Sequence, residues 1–488
     1  MLVFALSLFT LGGAALGEEV NYKYDALGRL VEALVTDGPA KGQKTLLEYD
    51  PAGNRSNYTV GGVTTAPPVV GGGQRLSGDS GNNDIVGGAL GDQFLVQEGG
   101  NDNVQGLDGS DIFYFGAAFT AADRVDGGAG GDSLVLQGNY SSGITLGSLG
   151  VSNITSIESL SLLSGANTDY GDTANARYDY KITALDGNVA AGETLQVNGA
   201  NLLSGEDLTF DGAAETNGSF QFLAGKGIDL LTGGAQSDSF VFAHDGRFGI
   251  GDKVEGGAGL DIVYLRGDYS IDFNAASYVG SMVNIESVQL HSASDTSVAA
   301  GGDGEFDYTI VFDDGMLASN GKMTFNGGKL TMNESMDFDG SEEVGGMLRL
   351  FGGAADDVLR GGGGPDLIFG NLGADIMRGN GGSDDFRYQS AAESTPAARD
   401  RIQNFEIGDR VDLSIIDANT LVAGNQAFSF IGSAAFGNQA GQLRFENVSA
   451  GGTTWMVQGD TDGNGISDFE FVLVLADADP ITATDFSL

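Results

Sequence analysis

The sequence predicts an all-β protein of stacked strand coils, and three observations carry that reading. The stretch "GGAADDVLRGGGGPDLIFGNLGADIMRGNGGSDDFRY", residues 352 to 388, repeats one nine-residue phrase, Gly-Gly-x-x-x-Asp-x-apolar-x. Its aspartates fall at Asp357, Asp366, Asp375 and Asp384, and the apolar partners at Leu359, Ile368, Met377 and Phe386. Nine does not fit a helical period, and glycine opposes a helix by about 1 kcal/mol relative to alanine. A longer period lies above the short one: Glu158 and Glu286, Tyr178 and Phe306, Phe210 and Phe338, and Asp229 and Asp357 all stand 128 residues apart. Lastly, segments such as "ETLQVNGANLLSGEDLTFDG" are short β-like runs bounded by Gly, Asn and Asp,.

The elements follow in order. Residues 1–17 form an apolar run with Ala15 and Gly17 in the small positions before a cleavage point, so Glu18 is the expected first residue after removal of an export signal,. The run lacks an initial Lys or Arg, and an ordinary apolar strand is the alternative. It is too short for a membrane span, and no other stretch reaches spanning length. Residues 18–60 carry "VNYKYDALGRL" and "LLEYDPAGNRSNYT", with Tyr24-Asp25 and Tyr49-Asp50 each leading into a glycine turn with arginine. These strand–turn units resemble the YD repeat of bacterial RHS-type proteins, in a piece too short for the shells such repeats build. Residues 61–75, with Pro67-Pro68 between glycine clusters, read as a linker,.

The repeats fill the middle of the chain. In residues 76–227 the phrase places Asn83, Asp92, Asp102, Asp111 and Asp132, with Asp229, Asp238 and Asp261 following in a second module at 228–351. The fourth phrase positions Leu90, Gln236 and Ala355 depart from glycine. Tandem modules of this kind stack, each burying its face on a neighbour. The terminal repeats span 352–388, and a C-terminal domain is expected at 389–488.

Composition narrows the function. With 67 acidic and 23 basic residues the net charge is −44, which opposes nucleic-acid binding and opposes folding unless cations answer it,. The 488 residues contain no cysteine, which removes disulfides and thiolate metal sites,. Glycines in the phrase let the backbone close a tight turn and direct carbonyl oxygens inward, and the aspartate adds a carboxylate. Two phrases make one coil, so phrases two apart stack and their turn oxygens face each other. A gap lined by oxygen alone suits calcium rather than magnesium or zinc.

The phrase resembles the RTX, or haemolysin-type calcium-binding, nonapeptide GGxGxDxUx. That resemblance implies a parallel β-roll with several calcium ions in its turns. Asn83, Asp92, Asp102, Asp111, Asp132, Asp229, Asp238, Asp261, Asp357, Asp366, Asp375 and Asp384 are the implied ligands. Residues 385–488, from "YQSAAESTPAARDRIQNFEIGDRVDLS" to the end "ITATDFSL", resemble the serralysin-type C-terminal domain. This second resemblance implies a β-sandwich-like cap and type I secretion guided by the C-terminus, a route different from a cleaved N-terminal signal. Within the cap, "DTDGNGISD" places Asp460, Asp462, Asn464 and Asp468 as in the first nine places of an EF-hand loop, with Phe471 where the bidentate Glu belongs,. A metal loop and a glycine turn joining two strands are both open for it.

Serralysin-type tails accompany zinc proteases, yet HExxH does not occur, which excludes that chemistry,. The two histidines, His244 and His291, stand far apart within the repeats, and GxSxG is missing,. The expectation is an exported bacterial protein without catalytic machinery, folded by calcium outside the cell. Its role there is structural or adhesive, toward surface or matrix polysaccharide or its own copies. A polysaccharide-active hydrolase or lyase, with its site in the coils at 137–225 and 267–351, is the alternative.

Overall fold

The computed structural model describes the backbone of 19–24, 30–37, 44–49 and 55–61, and residues 73–488 apart from 173, 175, 244–247, 296–303, 318–320 and 477–480. The expected export signal and His244 lie outside the described residues. Among these residues the chain is all-β, with only the one-turn 3-10 helices Asp314–Met316, Ala391–Glu393 and Ala483–Asp485. It divides into two compact units, Met1–Asp238 and Ser239–Leu488.

The first unit begins with an antiparallel meander of Glu19–Tyr24, Leu30–Asp37, Lys44–Tyr49 and Arg55–Gly61. Parallel coils follow, every second strand pairing with the one two earlier, as stacking of alternate phrases requires. One face runs Arg75–Ser77, Gln93–Leu95, Ile112–Gly116, Ser133–Leu136, Ser159–Leu162, Thr194–Asn198 and Ser219–Leu223. Opposite it, Asp84–Val86, Asn103–Asp108, Arg124–Ala129 and Ile154–Thr155 pair in parallel, and so do Tyr140–Thr145, Tyr180–Thr183, Leu208–Asp211 and Asp229–Thr232. Successive strand residues point to opposite faces, so register sets one apolar ladder inward. Leu76, Phe94, Phe113, Leu134, Leu160, Val197 and Phe222 are all fully buried in it.

The second unit repeats the plan. One ladder runs from Phe240 through Val263, Val288, Phe325, Leu350, Ile368 and Phe386 to Val411 and Phe486. The opposite ladder carries Ile271, Ile310, Phe338, Leu359, Met377, Ile402 and Leu473. The C-terminal cap grows directly out of these faces. Phe469–Leu475 joins the parallel sheet and continues antiparallel through Thr454–Asp460 and Gln442–Asn447, while Phe486–Ser487 extends the other face.

The coils differ in how much they bury. In the terminal repeats a strand has three residues, and its central side chain points inward, as at Leu359 and Met377. One inward side chain per phrase is a small core for nine ordered residues, so these coils depend on their turns.

Candidate metal centre

Every predicted aspartate from Asp92 to Asp384 is 2% exposed or less, so none is hydrated as a free carboxylate would be. They stand in columns along the turns. In the first unit Asp92 donates its backbone N–H to Asp111 Oδ1 at 2.6 Å, Asp111 to Asp132 Oδ1 at 2.7 Å, and Asp132 to Glu158 Oε2 at 2.7 Å. A second column joins Asn83 to Asp102 Oδ1 and Asp102 to Asp123 Oδ1. In the second unit Asp261 leans on Glu286, Asp357 on Asp375 and then Asp400, and Asp366 on Asp384 and then Asp409.

The sequence reading missed Asp123, Asp400 and Asp409 and the glutamates Glu158 and Glu286, because no glycine pair precedes them. A weaker signal survives at each: the acid is followed two places later by an apolar residue, Val125, Ile402, Val411, Leu160 or Val288. Asn83 carries a neutral amide instead, and its Oδ1 accepts the Asp79 N–H at 2.7 Å.

The second carboxylate oxygen separates two kinds of turn. At Asp92, Asp238, Asp357 and Asp366, Oδ2 accepts the N–H of the glycine four residues earlier, at 2.5–2.6 Å. At Asp111, Asp132, Asp375 and Asp384, Oδ2 is buried without a hydrogen-bond partner. These four turns carry left-handed residues at their second and fourth positions, Asn371 and Gly373 before Asp375, Asn380 and Gly382 before Asp384. Leu107 and Gly109, and Gly128 and Gly130, repeat the pattern before Asp111 and Asp132. The departures Leu90, Gln236 and Ala355 are outside the left-handed region, and their turns are the closed kind.

The first phrase glycine explains why a side chain is excluded. A Cβ at Gly106 would lie 2.1 Å from Asp111 Oδ2 and 2.4 Å from the Gly127 carbonyl oxygen, and one at Gly379 would lie 1.9 Å from Asp384 Oδ2. The cradle is thus narrow and lined with oxygen. Burial pushes its carboxyls up: Asp357 and Asp366 to about 7, Asp384 to about 8, and Asp375, beside the Asp400 charge, to about 9. Burial disfavours the charged form, and at Asp375 and Asp384 one oxygen has no donor to offset it, so ionising them in the closed roll calls for a cation beside them,. The donor set fits calcium, a hard ion that takes six to eight oxygens with flexible geometry. The open-turn aspartates and the glycine carbonyls of the neighbouring coil are the residues that would hold it.

The group in the cap behaves differently. Ligand oxygens of Asp460, Asp462 and Asp468 lie within 4.8 Å of one another. However, Asp460 accepts the N–H groups of Gly463 and Gly465, Asp462 that of Asn464, and Asp468 both the N–H and hydroxyl of Thr461. Asn464 in turn accepts from Ile466. Those bonds build a glycine-rich turn between strands, and its three carboxylates stay close enough to share an ion. His291 is buried, with Nδ1 2.8 Å from Asp295 Oδ2, an inter-coil residue.

A parallel roll with oxygen cradles stacked in its turns defines a class, the calcium-binding β-roll proteins. Comparison with protein families agrees: the RTX calcium-binding nonapeptide repeat (4 copies) matches residues 98–118. The Peptidase M10 serralysin C terminal family matches residues 177–487, well over half of the chain, and the protein belongs to that family. This match starts inside the first duplicated segment, upstream of the boundary expected at residue 389. The repeats bind calcium ions, and such domains are typical of secreted bacterial proteins. Both matches are non-catalytic modules and include no protease domain. A comparison with curated proteins finds no match. No described helix is long and apolar enough to cross a membrane.

Proposed function

We propose that the protein is exported as a loose acidic chain, folds when calcium fills its turns outside the cell, and then serves a structural or adhesive role. The carrying observation is the set of buried carboxylate oxygens at Asp111, Asp132, Asp375 and Asp384 that have no partner. At low free calcium these charges, in a chain of net charge −44, oppose closure of the roll,. Bound calcium neutralises them. An ion that binds only the folded form at 100 times its Kd stabilises it by about 2.7 kcal/mol per site. Columns that share ligands between neighbouring coils make filling cooperative.

The role after folding is tested with calcium-loaded full-length protein in two assays: sedimentation for self-assembly, and binding to immobilised surface polysaccharides. Calcium-dependent retention in either supports the reading. Monomeric protein that binds no polysaccharide, while degrading one, would replace it with the hydrolase or lyase reading.

A further inference from the structure

Four buried glutamates stand in turns of the duplicated coils, where the nonapeptide phrase does not occur. Glu206 Oε1 accepts the N–H groups of Gly165 and Tyr178, at 2.9 and 3.3 Å, and its Oε2 that of Leu203 at 2.7 Å. Glu334, 128 residues on, repeats the arrangement with partners shifted by the same interval: its Oε1 accepts from Ala293 and Phe306, and its Oε2 from Thr331 N–H and Oγ1. Glu215 accepts from Thr216, Asn217, Gly218 and Val189. Glu343 accepts from Gly345, Gly346 and Gly364. All four are 2% exposed or less, and both oxygens of each are bonded.

The contrast with the aspartate turns is chemical. A carboxylate surrounded by backbone N–H groups has its charge answered and its turn closed by the protein itself. Burial pushes Glu334 up, yet the N–H groups of Thr331 and Ala293 and the Ser292 and Thr331 hydroxyls outweigh it and hold the carboxyl below its ordinary range. The strands here also bury more than the three-residue strands of the terminal repeats. Thr194–Asn198 and Ser219–Leu223 each turn two side chains inward, and so do Lys322–Asn326 and Met347–Phe351. Phe210 packs edge-on against Phe220 and Phe222 at 5.3 and 5.2 Å, and Phe325 lies 4.6 Å from Phe338. Tyr180 and Tyr308 each tie neighbouring coils through a buried hydroxyl, to the carbonyls of Leu163 and His291.

We propose that the turns closed by Glu206, Glu215, Glu334 and Glu343 hold no metal, and that their coils fold without calcium and give each unit a preformed seat on which its calcium turns assemble. The inference deepens the calcium-driven folding proposed above and rests on it.

Hydrogen–deuterium exchange of the full chain, in chelator and in calcium, tests it. In chelator, peptides from 194–223 and 322–351 are expected to exchange at least about tenfold more slowly than those from 103–132 and 358–387. Calcium should then protect the latter. Equal, fast exchange of all four segments in chelator would overturn the inference while leaving calcium-driven folding intact. Equal, slow exchange would overturn both. Glu334→Gln supplies a second readout: chelator protection of 322–351 should fall while the number of calcium ions counted by native mass spectrometry stays unchanged. A lost ion in that variant would place metal at Glu334 and overturn the inference.

Discussion

Asp375 donates its backbone N–H to Asp400 Oδ1 at 2.9 Å, so a nonapeptide aspartate leans on an acid in a coil that carries no nonapeptide. The two charges also repel, since Asp400 is the largest contributor after burial to the raised Asp375 carboxyl. Asp400→Asn should therefore act in opposite directions. In chelator the variant should be more stable than the parent, and in saturating calcium less stable, by about 1–3 kcal/mol. Thermal melts in the two buffers check both signs.

The open turns should hold the ions more strongly than a count of aspartates implies. Asp375→Asn and Asp384→Asn each remove a carboxylate whose Oδ2 has no protein partner. Each should weaken calcium binding by about tenfold or more, because affinity in oxygen sites follows ligand charge. Calorimetric titration of the purified variants measures the change.

Gly379 has no room for a methyl group, since its Cβ would fall 1.9 Å from Asp384 Oδ2. Gly379→Ala should cost about 1–3 kcal/mol in the calcium-loaded protein, the range of a forced overpacking. A denaturant melt in calcium shows the loss, and the parent's stability retained in the variant would contradict the cradle geometry.

Acid should strengthen the calcium-free fold. Asp357, Asp384 and Asp375 titrate at about 7, 8 and 9 in the folded chain against an ordinary value of 3.8, so the fold holds protons that the unfolded chain releases. Their stabilising contribution is present in full below pH 4 and is lost as pH rises through about 7 to 9. In chelator, β content followed by circular dichroism should rise as pH falls from 9 to 5. In limiting calcium, the same protons compete with the ion and displace it.

Much of this was legible in the sequence because the period does the positioning. Leu359, Ile368, Met377 and Phe386 sit two places after an aspartate, and all four are fully buried. The predicted aspartates all reach the turns for the same reason. Asp400 and Asp409 escaped because register in the folded coil, rather than a glycine pair, puts them in column. Glu206 and Glu334 escaped differently. Among 67 acids nothing local marks a carboxylate that will be buried, and two of the donors that satisfy Glu334, on Ala293 and Phe306, stand far from it in sequence. Only their 128-residue spacing was visible. The cap's acids, Asp460 to Asp468, were legible as one loop from their spacing, and in the fold their oxygens converge while accepting N–H groups of their own turn.

The most direct test of the account is a calcium titration of the chelated full chain followed by far-UV circular dichroism, with magnesium as the control. The account predicts a partial β signal in chelator, then a steep cooperative gain between about 0.1 and 10 mM calcium, the range of extracellular-type sites, with little response to magnesium. A full β signal in chelator with no calcium bound would contradict it.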